Sequence, residues 1–124
     1  MQNSVALDAY ALLAFFQNET GADAVRKMIL EGADGKLDLA MCVVNAGEVW
    51  YSIARRNSME TADAYMREIR SMPIEIVDVD WALTRQAALY KVGGNVSYGD
   101  CFAAALAKIR NSELVTGDKE FKAL

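Results

Sequence analysis

The feature that most narrows the fold is an alternation. Short apolar runs recur at Val5–Leu7, Leu37–Val43, Ile74–Val79 and Glu113–Thr116, and the chain between them reads with helical period. Runs of this length suit strands rather than helices. Parallel strands of one sheet need a connection of a dozen or more residues between them, usually a helix. Both conditions are met here, so the pattern predicts an α/β fold with a mainly parallel sheet covered by helices on both faces.

The connecting segments carry their own start and stop signals. Tyr10–Phe16 reads as a short apolar helix. Thr20 to about Glu31 reads as a second, opened by the capping-box spacing Thr20-Gly21-Ala22-Asp23. Asp34-Gly35 marks a turn. Asn45 opens a helix to about Arg56, and Met59–Met72 follows as another, with Pro73 just past its end. Asp80 is a suitable N-cap for a helix from Trp81 to about Val92, and Ser97 for one from Tyr98 to about Arg110. Lys119–Leu124 begins a last helix. No internal repeat or linker is present, and residues 1–124 read as a single domain.

Composition then removes whole classes of chemistry. The chain has no histidine, which excludes Ser-His-Asp and Cys-His catalysis and His-ligated zinc. Its two cysteines, Cys42 and Cys101, are too few for a disulfide framework or a structural zinc site, and both read as core residues of a reducing cytoplasm. A net charge of −4 argues against sequence-blind electrostatic binding of nucleic acid by the bare protein. It leaves room for an enzyme whose positive charge arrives as metal ions. Val5–Phe16 has the length of a signal core, but Met1–Ser4 carries no Lys or Arg and Asp8 interrupts the run. No stretch is apolar enough to span a membrane. Trp50 and Trp81 read as core. Phe15, Phe16, Tyr51, Tyr65, Met66 and Ile69 offer more apolar helix surface than one small core needs, which points to self-association or a protein partner.

Most of the acids lie on charged helix faces or in turns. Asp8, Glu48, Asp100 and Asp118 do not. Each sits inside or against an apolar segment, where a lone carboxylate must be neutralised, hydrogen-bonded or paired with a cation. Asp8 and Asp118 fall just past the carboxyl ends of expected strands, and Glu48 and Asp100 in the first turns of expected helices. In open α/β sheets that edge holds the ligand crevice. Oxygen ligands without His or Cys select Mg²⁺ or Mn²⁺. Local spacing also admits a plainer account. Asn45-Ala46-Gly47-Glu48 and Ser97-Tyr98-Gly99-Asp100 have capping-box spacing, and Asp8 and Asp118 are placed as N-caps.

At these residues the sequence resembles the PIN-domain family, and within it the VapC-type toxins of toxin–antitoxin pairs. VALDAYALLAFF, VVNAGEVWYSIARR, SYGDCFAAALA and ELVTGDKEFKAL carry the likeness, in the family's order and spacing over nearly the whole chain. The resemblance implies a three-layer domain with a central sheet of four to five strands. It implies a cytoplasmic, Mg²⁺- or Mn²⁺-dependent ribonuclease that cuts single-stranded RNA, forms a homodimer and is held by a VapB-like antitoxin. The carried-over metal-site and catalytic acids are Asp8, Glu48, Asp100 and Asp118, and Thr116 matches a hydroxyl residue before the last acid. Arg55 and Arg56 are candidates for substrate contact, as are Lys91, Lys108, Lys119 and Lys122. Two departures stand out. Tyr10 occupies a position where the family usually has Ser or Thr, and a final edge strand is missing from the 124 residues. A non-catalytic interaction domain is the main rival. A receiver-like phosphoacceptor domain fits less well, because Asp8 stands alone after its strand.

Overall fold

The computed structural model describes residues 3–116, and they form the expected α/β architecture. In chain order the elements are β1 (Asn3–Leu7), α1 (Ala9–Phe16), α2 (Ala22–Ala33), β2 (Leu37–Cys42), α3 (Val43–Arg56), α4 (Met59–Ser71), β3 (Ile74–Val77), α5 (Trp81–Gly93), α6 (Tyr98–Arg110) and β4 (Glu113–Val115). The four strands make one sheet in the order β3-β2-β1-β4, every pair parallel. Asn3 is in register with Leu37, Val5 with Glu113, and Leu39 with Ile74.

Side chains alternate across the sheet, and the two faces differ in size. Val5, Leu7, Leu39 and Met41 face one layer, where they pack with Leu12 of α1, Val25 of α2, Val49 and Ile53 of α3 and Ile69 of α4. Ala6, Ala40 and Cys42 face the other, against Leu83 and Ala87 of α5 and Cys101, Phe102, Ala105 and Leu106 of α6. Small residues on that face let α6 lie directly on β1 and β2. Its first turn therefore reaches the carboxyl ends of the central strands. Both cysteines are buried and unpaired. Burial pushes both thiols above their ordinary pKa, which keeps them protonated.

Several expectations need correction. Helix α3 starts at Val43 directly out of β2, with Cys42 in the N-cap position and no side-chain cap. Asn45 is therefore inside the helix and does not open it. Helix α2 starts after Gly21, whose φ of 96° is left-handed, so Thr20 does not cap it. Trp81 is not core: it is the first residue of α5 and 71% exposed, because the buried stripe of that helix runs through Leu83 and Ala87. Trp50 is half-buried and its Nε1 donates to Asp63 at 2.8 Å. Ile69 is fully buried, and Phe16 of α1 stacks on Tyr65 of α4 with centroids 4.6 Å apart. Of the six apolar residues expected to crowd the surface, only Tyr51 is exposed. Asp8, Asp80 and Ser97 do cap α1, α5 and α6. Among the described residues, no helix is long and apolar enough to cross a membrane.

Candidate active site

The strand order places the switch point at β1, which pairs with β2 on one side and β4 on the other. A crevice forms where connections leave such a pair in opposite directions. Asp8 directly follows β1 and Thr116 directly follows β4. The Thr116 hydroxyl donates to Asp8 Oδ2 across that gap. Asp8 Oδ1 accepts from the Ala11 backbone N–H at 2.8 Å, the capping bond of α1. A 1% exposed carboxylate is tolerated here because donors face it and the positive end of α1 lies against it.

Two further acids reach the same edge. Glu48 lies early in α3, and Ser52 and Arg56 follow at i+4 and i+8, so the three side chains form one stripe about 12 Å long. Asp100 lies in the first turn of α6, whose N-cap Ser97 accepts from the Asp100 backbone N–H at 3.2 Å. Glu48, Ser52, Arg56 and Asp100 line one cleft of about 400 Å³, with Ala9, Tyr10 and Leu13 of α1 forming another wall. Both carboxylates are partly exposed to it. Asp8 is buried immediately before Ala9. Asn45, one turn before Glu48, donates from Nδ2 to Glu48 Oε1 at 2.8 Å and to the Gly99 carbonyl at 3.0 Å. Asn45 Oδ1 is buried and has no hydrogen-bond donor among the described residues.

The cleft offers oxygen donors alone, the kind a hard divalent cation takes. Among the described residues, no three acidic side chains are grouped closely enough to hold one ion together. Mg²⁺ does not need three: it keeps several waters and commonly takes one or two carboxylates plus substrate phosphate oxygens. Glu48 and Asp100, oxygen donors in one open cleft, fit that requirement. A larger cleft, of about 530 Å³, opens elsewhere around Asp38, Glu75 and Arg110. Its Arg110 guanidinium pairs with both oxygens of Glu75, each at 2.9 Å, which holds the Glu75 carboxyl below its ordinary pKa.

The family model of the PIN domain matches residues 5–124. The chain belongs to the PIN-domain family. No curated protein sequence matches it. Solved structures with the same fold include VapBC2 of Rickettsia felis bound to a DNA fragment from its promoter. That one has a TM-score of 0.74 and 20% identity, covering 98% of this chain and 92% of the other. A sarcin-ricin-loop-cleaving VapC toxin of Mycobacterium tuberculosis matches with a TM-score of 0.73 and 17% identity, covering 98% and 94%. DNA-bound VapBC of Salmonella typhimurium matches at 0.71 and 18%, covering 98% and 92%.

In this PIN domain the expected site residues fall into groups. Glu48 and Asp100 share the cleft, and Asp8 and Thr116 meet at the switch point beside it. Asp118 lies outside the described residues, as do Lys119, Lys122 and the last expected helix. Arg56 lines the cleft, whereas the Arg55 guanidinium sits over the Tyr51 ring, 5.2 Å from its centroid. Lys91 donates to the Val96 carbonyl at 2.8 Å and so ties down the α5–α6 loop. Lys108 is in the last turn of α6, at the end of the helix away from Asp100. Sequence reasoning missed Asn45 and Ser52. The i, i+4, i+8 spacing of Glu48, Ser52 and Arg56 is a signal that would have found Ser52. A polar amide inside the apolar run VVNAGEV is one that would have found Asn45.

Proposed function

We propose that this PIN domain is a metal-dependent endoribonuclease acting on single-stranded RNA, the toxin of a VapBC-type pair. The single observation that carries the reading is the convergence of Glu48 and Asp100 on one cleft at the sheet's switch-point edge, beside the buried Asp8. The family and the likeness to VapC and VapBC structures support it. Mg²⁺ or Mn²⁺, when bound, supplies an activated water and a clamp on the phosphate. Glu48 and Asp100 hold the cation. Asp8, with Asp118, completes the acidic site. Arg56, at the far end of the stripe, binds a neighbouring phosphate of the RNA backbone and offsets the repulsion of a net −4 chain. A VapB-like antitoxin is the proposed protein partner and a homodimer the proposed assembly. A cytoplasmic setting fits the two protonated, unpaired cysteines.

The test is cleavage of an unstructured RNA by the purified protein, free of any partner, with Mg²⁺, with Mn²⁺ and with EDTA. Cleavage that requires the metal and is lost in Asp100→Asn is expected. Metal-independent cleavage, or full activity in Asp100→Asn, refutes the assignment. RNA binding without cleavage in every metal condition selects a non-catalytic binding domain instead.

A further inference from the structure

Asn45 makes contacts that neither a helix cap nor an ordinary core residue makes. It is wholly buried in the first turn of α3. Its single amide nitrogen serves the Glu48 carboxylate on its own helix and the Gly99 carbonyl of α6, 54 residues away. Both partners are acceptors, so the orientation of the amide is determined: a flipped side chain would set oxygen against oxygen twice. The amide thus ties together the two turns that carry the cleft's carboxylates.

Gly99 is the other half of the arrangement. A Cβ at this position would fall 2.6 Å from Glu48 Oε1 and closer still to Oε2. The Glu48 carboxylate therefore occupies the space a side chain at 99 would fill. Glycine is a poor residue inside a helix, and here the space it leaves is used by an acid from a neighbouring helix.

We infer that Asn45 and Gly99 form a positioning clasp that seats the Glu48 carboxylate against the α6 turn carrying Asp100, and so sets the geometry of that pair for a divalent cation. Asn45 is a positioning residue, acting through Glu48. The inference rests on the reading of Glu48 and Asp100 as the cation-holding pair. Partners that orient a metal-ligating side chain typically control affinity by roughly 10–100-fold. A Cβ at 99 has only the far end of a flexible side chain to displace. Gly99→Ala therefore dislodges Glu48 while favouring the helix.

The experiment titrates the full chain with Mn²⁺, reading free Mn²⁺ by electron paramagnetic resonance, and records melting temperature without metal. The proteins compared are wild type, Gly99→Ala, Asn45→Ala and Glu48→Gln. Gly99→Ala and Glu48→Gln are expected to lose affinity about tenfold or more, with Gly99→Ala melting no lower than wild type. A residue with a purely structural role would not separate affinity from stability in that way. Wild-type Mn²⁺ affinity in Gly99→Ala, or in a folded Asn45→Ala, overturns the clasp. If Asn45→Ala does not fold, Gly99→Ala decides alone. Wild-type affinity in Glu48→Gln, or no Mn²⁺ uptake by the wild type, refutes the cation reading itself and the clasp with it.

Discussion

Replacing Asp8 by Asn and by Ala separates its structural from its chemical work. The carboxylate caps α1 through Oδ1 and takes the Thr116 hydroxyl on Oδ2. Asn preserves both contacts: its oxygen caps as well as Asp does, and the Thr116 hydroxyl rotates to accept from the amide. The charge lost at the α1 dipole is worth about 0.3–1 kcal/mol, and relief from burying a carboxylate offsets part of it. Ala removes the cap, about 1 kcal/mol, and the hydrogen bond to Thr116, about 1 kcal/mol more. At about 2.1 cal/mol/K per residue, a 124-residue chain changes its melting temperature by about 4 °C per kcal/mol. Asp8→Ala should therefore melt about 8 °C below wild type and Asp8→Asn within about 4 °C of it. Both should lose metal-dependent RNA cleavage. Calorimetry on the three proteins, with a cleavage assay on the same samples, makes the check. Retained cleavage in Asp8→Asn would reduce Asp8 to a helix cap. An Asn variant as unstable as the Ala variant would show that charge, not hydrogen-bond geometry, is what the fold uses at this position.

Three further outcomes are expected. Arg56→Ala should raise KM for RNA several-fold at little change in kcat, and lower the salt slope of binding by about 0.7, the share of one single-strand phosphate contact; an unchanged slope rejects the contact. Cys42 and Cys101, buried with raised pKa values, should resist iodoacetamide at pH 8 and react promptly in denaturant. Because the folded thiols hold their protons to higher pH than the unfolded ones, stability should fall as pH rises past the unfolded thiol pKa, and fast labelling of the native protein refutes both statements. Glu75 has its pKa lowered by Arg110, so its contribution is present at neutral pH and lost as acid titrates the folded carboxyl. The pair is largely exposed, so Glu75→Gln should cost under about 1 kcal/mol at pH 7 and progressively less as acid protonates the folded carboxyl, as thermal melts at falling pH will show.

The fold was legible because its signals are local. Four apolar runs separated by helical stretches admit few arrangements once connections must be long and strands parallel. Asp8, Asp80 and Ser97 announced three helix starts through side chains that do cap. The errors came where tertiary contact overrode a local pattern. Asn45-x-x-Glu48 has the spacing of a capping box, yet β2 runs into α3 without a loop and the helix is already formed at Val43. Thr20 lost its role because Gly21 adopts a left-handed turn before α2. Trp81 reads as core because it lies on an apolar helix face, yet the buried stripe of α5 passes two and six residues further on, at Leu83 and Ala87.

The candidate site was legible in its members but not in its bonding. Apolar context picked out Asp8, Glu48 and Asp100, and the structure puts all three at the strand-end edge of the sheet. No sequence pattern says that Asp8 is held by Thr116, since that pairing exists only because β4 lies beside β1 on the side away from β2. Nor does any say that Gly99 is small because Glu48 lies on it. Asn45 and Glu48 are one helical turn apart, so their bond is local, but its purpose depends on a third group 54 residues away. The chain thus uses the same short spacing in two ways. Ser97 and Asp100 meet as a cap at the start of α6. Asn45 and Glu48 meet within α3, where the Asn45 side chain caps no backbone amide and its Nδ2 instead holds a carboxylate in place.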